Sequence, residues 1–343
     1  MKTHDNTLYV TTQGAYLSKD GTNVVVYVER KERFRAPVHT IGNIVCFGNV
    51  GCSPFLMGLC GRENVGIAFL TENGRFMARS IGPQSGNVLL RRAQYAKTGD
   101  PECSAAVARG IIIAKLTNAR MVLQRVLRDH SDKIQSVDVS DAVKRLSSLA
   151  DELVRPLPLE RIRGVEGEAA QYYFQAFDHM ILCQKEDFFF KGRNRRPPLD
   201  NMNALLSFLY VLLANDVRSA CESVGLDPQM GFLHADRPGR PSLALDLMEE
   251  FRPILADRLA LSLVNRQQLQ AKDFRKQESG GVEMNDTARK TLLKAYQKRK
   301  AESIHHPFLN EKVTIGILPF VQARLLARFL RGDYDAYPPF FWR

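Results

Sequence analysis

The chain has 343 residues, 45% of them apolar and 25% charged. Those are the proportions of a globular protein whose core needs no staples, which excludes disorder, collagen and coiled coil as whole-chain descriptions and suggests two domains. Forty-eight Lys and Arg against 37 Asp and Glu leave a net charge of +11, an excess that favours a polyanionic partner. The six cysteines, Cys46, Cys52, Cys60, Cys103, Cys183 and Cys221, form no Cys-x-x-Cys pair and read as reduced thiols of a cytoplasmic protein. The opening Met1-Lys2-Thr3-His4-Asp5-Asn6 has no apolar leader, and apolar runs such as 205–214 are short for a membrane span.

Residues 7–11 and 23–28 are β-branched and aromatic and predict strands, with Asp20-Gly21 as a turn between them. Strands are also expected at 38–41 and 44–47. Residues 65–70 precede Asn73-Gly74, a strong hairpin signal, and 76–79 form the returning strand. From about Asn87 the period changes. Apolar residues recur at three- and four-residue spacing over 93–96, 105–126 and 137–153, and the helical texture runs on to Leu330. Breaks fall at 154–158, 188–199 and 278–281. The expectation is an α+β protein, with a β-sandwich-like domain over 1–90 and a larger all-α domain over 91–343.

Three groups of residues can carry chemistry. Glu166 lies between Gly164 and Gly167 at what reads as the first turn of a helix. An acid there commonly just offsets the helix dipole, while the glycines suit a close approach by another group. The second group is denser. His234 precedes the loop Arg237-Pro238-Gly239-Arg240-Pro241, Ser242 reads as the N-cap of the next helix, and Asp246 and Glu249 share one face of it. An imidazole with carboxylates suits Mg²⁺ or Mn²⁺; the plainer alternative is a solvated acidic face. The third group is cationic: Arg193, Arg195 and Arg196 in one loop, then Arg289, Lys290, Lys294, Lys298, Arg299 and Lys300, then Arg324, Arg328 and Arg331. Such clusters track phosphates or simply face water. A P-loop, His-Glu-x-x-His and Gly-x-Ser-x-Gly are all missing from the sequence.

Several motifs, in order, together resemble one family: the CRISPR-associated integrase of spacer acquisition, the metal-dependent DNA endonuclease/integrase of the adaptation complex. They are Phe47-Gly48-Asn49, Leu89-Leu90-Arg91-Arg92-Ala93-Gln94-Tyr95, Gly164-Val165-Glu166-Gly167, the run from Arg196-Pro197-Pro198 through Asn203 to Tyr210, the His234 block, and Gln322-Ala323-Arg324. The closing Tyr337-Pro338-Pro339-Phe340-Phe341-Trp342-Arg343 is similar to members from type I-C loci. The resemblance implies a β-sandwich joined to a helical domain. It implies a metal site for Mn²⁺ or Mg²⁺ made by Glu166, His234 and Glu249, with Asp246 either supporting the site or acting as the direct third ligand. Asn203, Arg237 and Arg240 fall in motif positions near it, and Arg193, Arg195 and Arg196 are candidate DNA contacts. The implied reaction is attack of a DNA 3′-hydroxyl on a phosphodiester at the repeat edge, with double-stranded and branched DNA as substrates. The implied assembly is a homodimer, two of which clamp a small ferredoxin-like adaptation protein in a heterohexamer. The alternative is a basic DNA-binding scaffold of the same complex without catalysis.

Overall fold

In the computed structural model, the structure describes residues 6–80, 82, 88–130, 132 and 136–342. Arg343 of the closing motif lies outside them.

The N-terminal part holds two four-stranded sheets. One has the order β1 (Thr7–Val10), β5 (Asn43–Phe47), β7 (Gly66–Leu70), β8 (Phe76–Ser80), parallel except for β8. The other has the order β4 (Lys31–Pro37), β3 (Asn23–Val28), β2 (Tyr16–Asp20), β6 (Gly51–Cys52). Leu17, Val24 and Val26 of the second sheet meet Val10, Ile44, Cys46 and Ile67 of the first in one buried cluster. The alternate residues of β5, Val45 and Phe47, point the other way and join the core of the helical part. This is why Ile44 to Phe47 is apolar without alternation: both faces of β5 are covered. Asn73-Gly74 makes the expected turn between β7 and β8. Gly74 has φ +85°, and a Cβ there would lie 2.8 Å from the Phe208 ring, so this turn also admits the helical part closely.

Three details depart from the sequence reading. Residues Val38–Thr40 form a 3₁₀ turn rather than a strand. β2, β4 and a helix, α1 (Pro54–Arg62), stand where no element was expected. The later part, expected to be all helix, also carries two small hairpins.

That later part runs α2 (Val88–Thr98), α3 (Pro101–His130), α4 (Ser136–Glu152), α5 (Leu159–Phe177), α6 (Asn201–Ser223), α7 (Ser242–Met248) and α8 (Arg258–Asn265). The hairpin β9 (Phe274–Lys276)–β10 (Val282–Met284) follows, then α9 (Asp286–Ala301), the hairpin β11 (Ser303–His306)–β12 (Glu311–Thr314) and α10 (Leu318–Arg331). α3, at 30 residues, is about 45 Å long and forms the spine. α6 starts cleanly because the Asp200 side chain accepts from the Asn203 N–H. Its length and mean hydropathy of 1.3 would pass for a membrane span, but 67% of that window is buried inside the fold, as in a core helix.

Part of the expected cationic surface instead joins the two parts of the fold. Lys300 is buried, 2.9 Å from Asp216 and 3.1 Å from Thr7 Oγ1 of β1. Arg289 donates to Asn73 Oδ1 and the Met284 carbonyl, each at 3.0 Å. Lys290, Lys294 and Lys298 remain exposed.

The residues after α10 fold back into the core. Glu250, fully buried, accepts from the Tyr337 hydroxyl at 2.7 Å and the Phe340 N–H at 2.8 Å. Asn118 of α3 donates to the Glu250 and Phe340 carbonyls and accepts from the Trp342 N–H. This strap ties α3 to the turn that carries Glu249 and Glu250.

Candidate metal centre

Glu166 is the eighth residue of α5, not part of its first turn, because the helix already starts at Leu159 behind Pro158. Offsetting the helix dipole therefore does not explain it. Ile162, Val165, Ala169, Tyr173 and Ala176 form the buried stripe of α5, and Glu166 borders it. A Cβ at Gly167 would meet nothing within 4 Å, and one at Gly164 only an Arg161 nitrogen at 3.7 Å. Two glycines inside a helix cost about 0.5–1 kcal/mol each and leave the surface beside Glu166 bare.

His234 is held by Asp246. Asp246 Oδ2 accepts the N–H groups of Phe232 at 2.6 Å and Leu233 at 3.0 Å. Its Oδ1 accepts the His234 N–H at 3.0 Å and the ring Nδ1–H at 2.6 Å. The carboxylate is fully buried and every direction around it is used. The ring proton therefore sits on Nδ1 and leaves Nε2 as a bare acceptor. Gly231 permits the arrangement: a Cβ there would lie 2.7 Å from Asp246 Oδ2. Farther back, Gln94 of α2 donates to the Asp227 and Met230 carbonyls, both at 2.8 Å, and fixes the base of the loop. Ser242 is not the N-cap; Pro241 holds that place, and the Ser242 hydroxyl bonds the Ala235 carbonyl.

Glu249 follows α7 directly, ahead of a wide π-type turn over Arg252–Asp257. Such turns recur at functional sites, where they re-aim side chains. The Glu249 side chain is only 4% exposed. Its Oε1 accepts from Arg252 at 2.7 Å, and its Oε2 lies 2.8 Å from Lys115 Nζ. That second contact is an ion pair off ideal hydrogen-bond geometry, so the Lys115 ammonium is all that Oε2 has. Lys115 also bonds Glu166 Oε1. Burial alone would raise the Glu249 carboxyl, but the Arg252 and Lys115 charges outweigh it and hold it below the usual range. A cavity of about 50 Å³ adjoins the group, lined by Lys115, Glu166, Tyr173, Tyr210, Arg252 and Asp257. Asp257 accepts from Tyr210 at 2.6 Å and Tyr173 at 3.0 Å, and Arg252 lies 4.3 Å above the Tyr210 ring.

The fold thus brings Glu166 from α5 and Glu249 from beyond α7 to one ammonium group, and Asp246, three residues before Glu249, holds His234. Among the described residues no three His, Cys, Asp or Glu side chains already converge as metal ligands; the Lys115 ammonium stands between the two carboxylates. The donor set nonetheless suits a hard divalent ion, which would take the Glu249 oxygen that now faces only the Lys115 ammonium.

A family model described as CRISPR associated protein Cas1 matches residues 8–298. The chain belongs to the Cas1 family. It is 54% identical over 343 residues to CRISPR-associated endonuclease Cas1 1 of Chlorobaculum tepidum, covering 100% of both chains. It is 52% identical over 347 residues to CRISPR-associated endonuclease Cas1 2 of Rhodospirillum rubrum, again covering 100% of both. At that identity it is an enzyme of the same nuclease class. A casposase bound to integration product shares the fold with TM-score 0.81 at 24% identity, covering 97% of this chain and 93% of that one. A chain of a Cas6-RT-Cas1–Cas2 complex does so with TM-score 0.83 at 21% identity, over 99% of this chain and 36% of that one.

On this Cas1 fold the expected DNA-contacting arginines divide. Arg195 and Arg237 are exposed and Arg240 is half-buried. Burial and the charges of Arg237 and Arg195 depress the Arg240 guanidinium, which places the three in one mutually repelling cluster. Arg196 is exposed as well. Arg193 turns inward: it donates to Asn203 Oδ1 at 2.6 Å and Ser207 Oγ at 3.0 Å and lies over the Tyr210 ring. Asn203 is fully buried and braces this loop, also bonding the Gly192 carbonyl and Asp200. The sequence reading missed Lys115, Arg252 and Asp257. Lys115 had a signal: it is a charge inside Ile111-Ile112-Ile113-Ala114-Lys115-Leu116, an otherwise apolar run. Arg252 had a weaker one, lying three residues after Glu249.

Proposed function

We propose that this chain is a metal-dependent DNA endonuclease/integrase that inserts new spacer DNA into a CRISPR array by 3′-hydroxyl transesterification. The observation that carries this is the meeting of Glu166 and Glu249, from separate stretches of chain, at the Lys115 ammonium, with His234 held by Asp246 three residues before Glu249. Glu166, Nε2 of His234 and Glu249 would hold Mn²⁺ or Mg²⁺, and Asp246, its oxygens already used, orients the imidazole. The ion, when bound, neutralises charge on the phosphate and on the entering and leaving oxygens. The incoming 3′-hydroxyl loses its proton and forms the new P–O bond; the old P–O bond breaks and its oxygen takes up a proton. One bond replaces another, so no nucleotide is hydrolysed, and the reverse step resolves branched DNA.

Arg195, Arg196, Arg237 and Arg240 contact the DNA backbone without reading sequence, while Arg193 shapes the loop that presents Arg195 and Arg196. Residues 1–90 form the N-terminal unit and 91–343 the catalytic one. The working assembly is a homodimer, two of which clamp the small ferredoxin-like adaptation protein; a fold neighbour assembled with Cas2 supports this. The closing Tyr337 to Trp342 run supports a type I-C locus, and the cysteine usage supports the cytoplasm. The test is strand joining on branched DNA with Mn²⁺, Mg²⁺ or EDTA, beside Glu166→Ala and with the small partner added. Metal-dependent joining that the variant loses is the expected result. Wild-type protein that binds DNA but joins nothing, even with the partner, would leave the scaffold reading.

A further inference from the structure

Lys115 has no part in the reaction just described, yet it makes the closest contacts in the centre. We infer that Lys115 is a resident cation that the metal displaces, and that its freed ammonium then pairs with a phosphate of the DNA. The inference rests on Glu166 and Glu249 being metal ligands.

Lys115 Nζ bonds Glu166 Oε1 and lies 2.8 Å from Glu249 Oε2, the two oxygens a divalent ion would take. Its side chain is 12% exposed and rises from an apolar stretch of α3, where a charge is costly unless something requires it. What requires it is the facing pair of carboxylates, which without metal would meet with Arg252 as the remaining close cation. Arg252 is anchored on the Tyr210 ring, whose hydroxyl bonds Asp257. Lys115, among the described residues, has no hydrogen bond or ion pair beyond the two glutamates. Its hold on Glu249 is off ideal hydrogen-bond geometry, so that side is the weaker one. An ammonium and a divalent ion cannot share this space. The four-carbon stem lets Nζ swing aside while α3 stays fixed. Space exists for it: Lys115 itself lines a cavity of about 50 Å³. Metal entry would thus release a positive charge where the scissile phosphate must lie, so metal and DNA would each favour the other's binding.

The experiment titrates Mn²⁺ calorimetrically into metal-stripped wild type, Lys115→Met and Glu166→Gln. Lys115→Met should bind Mn²⁺ at least about tenfold more tightly, because no cation has to leave. Its melting temperature without metal should fall, and the rise on adding Mn²⁺ should exceed that of wild type. Mn²⁺ affinity no higher than wild type overturns the displacement. Glu166→Gln should bind Mn²⁺ more weakly; if it does not, the metal centre itself is misassigned and the two failures are told apart. Should Lys115→Met not fold, amine acetylation of the wild-type protein decides. Lys115 should be protected without metal and labelled with Mn²⁺ present, and equal labelling in both states refutes the exchange.

Discussion

Replacing Asp246 with Asn tests the centre through a residue that touches neither substrate nor metal. Its oxygens accept four hydrogen bonds at 2.6–3.0 Å, three from backbone N–H groups and one from the imidazole. An amide keeps one acceptor and turns the other into a donor. The least costly placement puts the new NH₂ at Oδ1, where the ring can answer by moving its proton to Nε2 and accepting at Nδ1. The His234 N–H then loses its partner, a buried charge-assisted bond of about 1.5–3 kcal/mol. The bonds from Phe232 and Leu233 lose their charge assistance, roughly 0.5–1 kcal/mol each. The total, about 2.5–5 kcal/mol, is a large share of a typical stability. The proton now on Nε2 also blocks the atom assigned to the metal, so Mn²⁺ affinity should drop about 10–100-fold. Urea unfolding and Mn²⁺ titration of Asp246→Asn read the two effects separately. A variant that unfolds within about 1 kcal/mol of wild type and binds Mn²⁺ equally would refute the orienting role.

Three further outcomes are expected. Burial raises the Glu250 carboxyl to about 8 despite its bonds from Tyr337, Phe340 and Gln322. The fold therefore holds a proton that the unfolded chain has released above about 4.5, and stability should fall as pH rises between these values; Glu250→Gln should flatten that slope in urea melts from pH 5 to 8. Gly167→Ala should stabilise α5 by about 0.5–1 kcal/mol while slowing strand joining, since the added methyl sits beside Glu166 in open space; unchanged joining would show that nothing approaches there. Glutamate substitutions at Arg195 and Arg237 should weaken binding to any DNA sequence and lower its salt dependence, whereas Arg193→Ala should mainly reduce stability, because its guanidinium is spent on Asn203 and Ser207. DNA binding that survives the double reversal would move the phosphate track elsewhere.

The legible parts of this fold were those where one period governs a segment. The strand over 23–28 and the spine of α3 follow from β-branched runs and three- to four-residue spacing. β4 was not legible because Lys31–Pro37 is exposed nearly throughout and shows no apolar face. α1 was hidden by Pro54 and two glycines, although Ser53 caps it. At the centre, the spacing of Asp246 and Glu249 suggested a shared helix face. Only three dimensions show that one carboxylate is consumed by backbone N–H groups and the other is not. Lys115 lies 51 residues from Glu166 in sequence. No local pattern links the two, so its role became visible only through packing.

The strap has a consequence for how the protein is made. Asn118 waits for the carbonyl of Phe340, 222 residues farther along, and Glu250 for an N–H 90 residues on. Translation must pass residue 340 before either is satisfied. Each group has other partners, the Glu250 carbonyl for Asn118 and Gln322 and Tyr337 for Glu250, but its full set is made only when the strap docks. A chain cut before Phe340 would leave both groups short of a partner, one of them next to Glu249 in sequence.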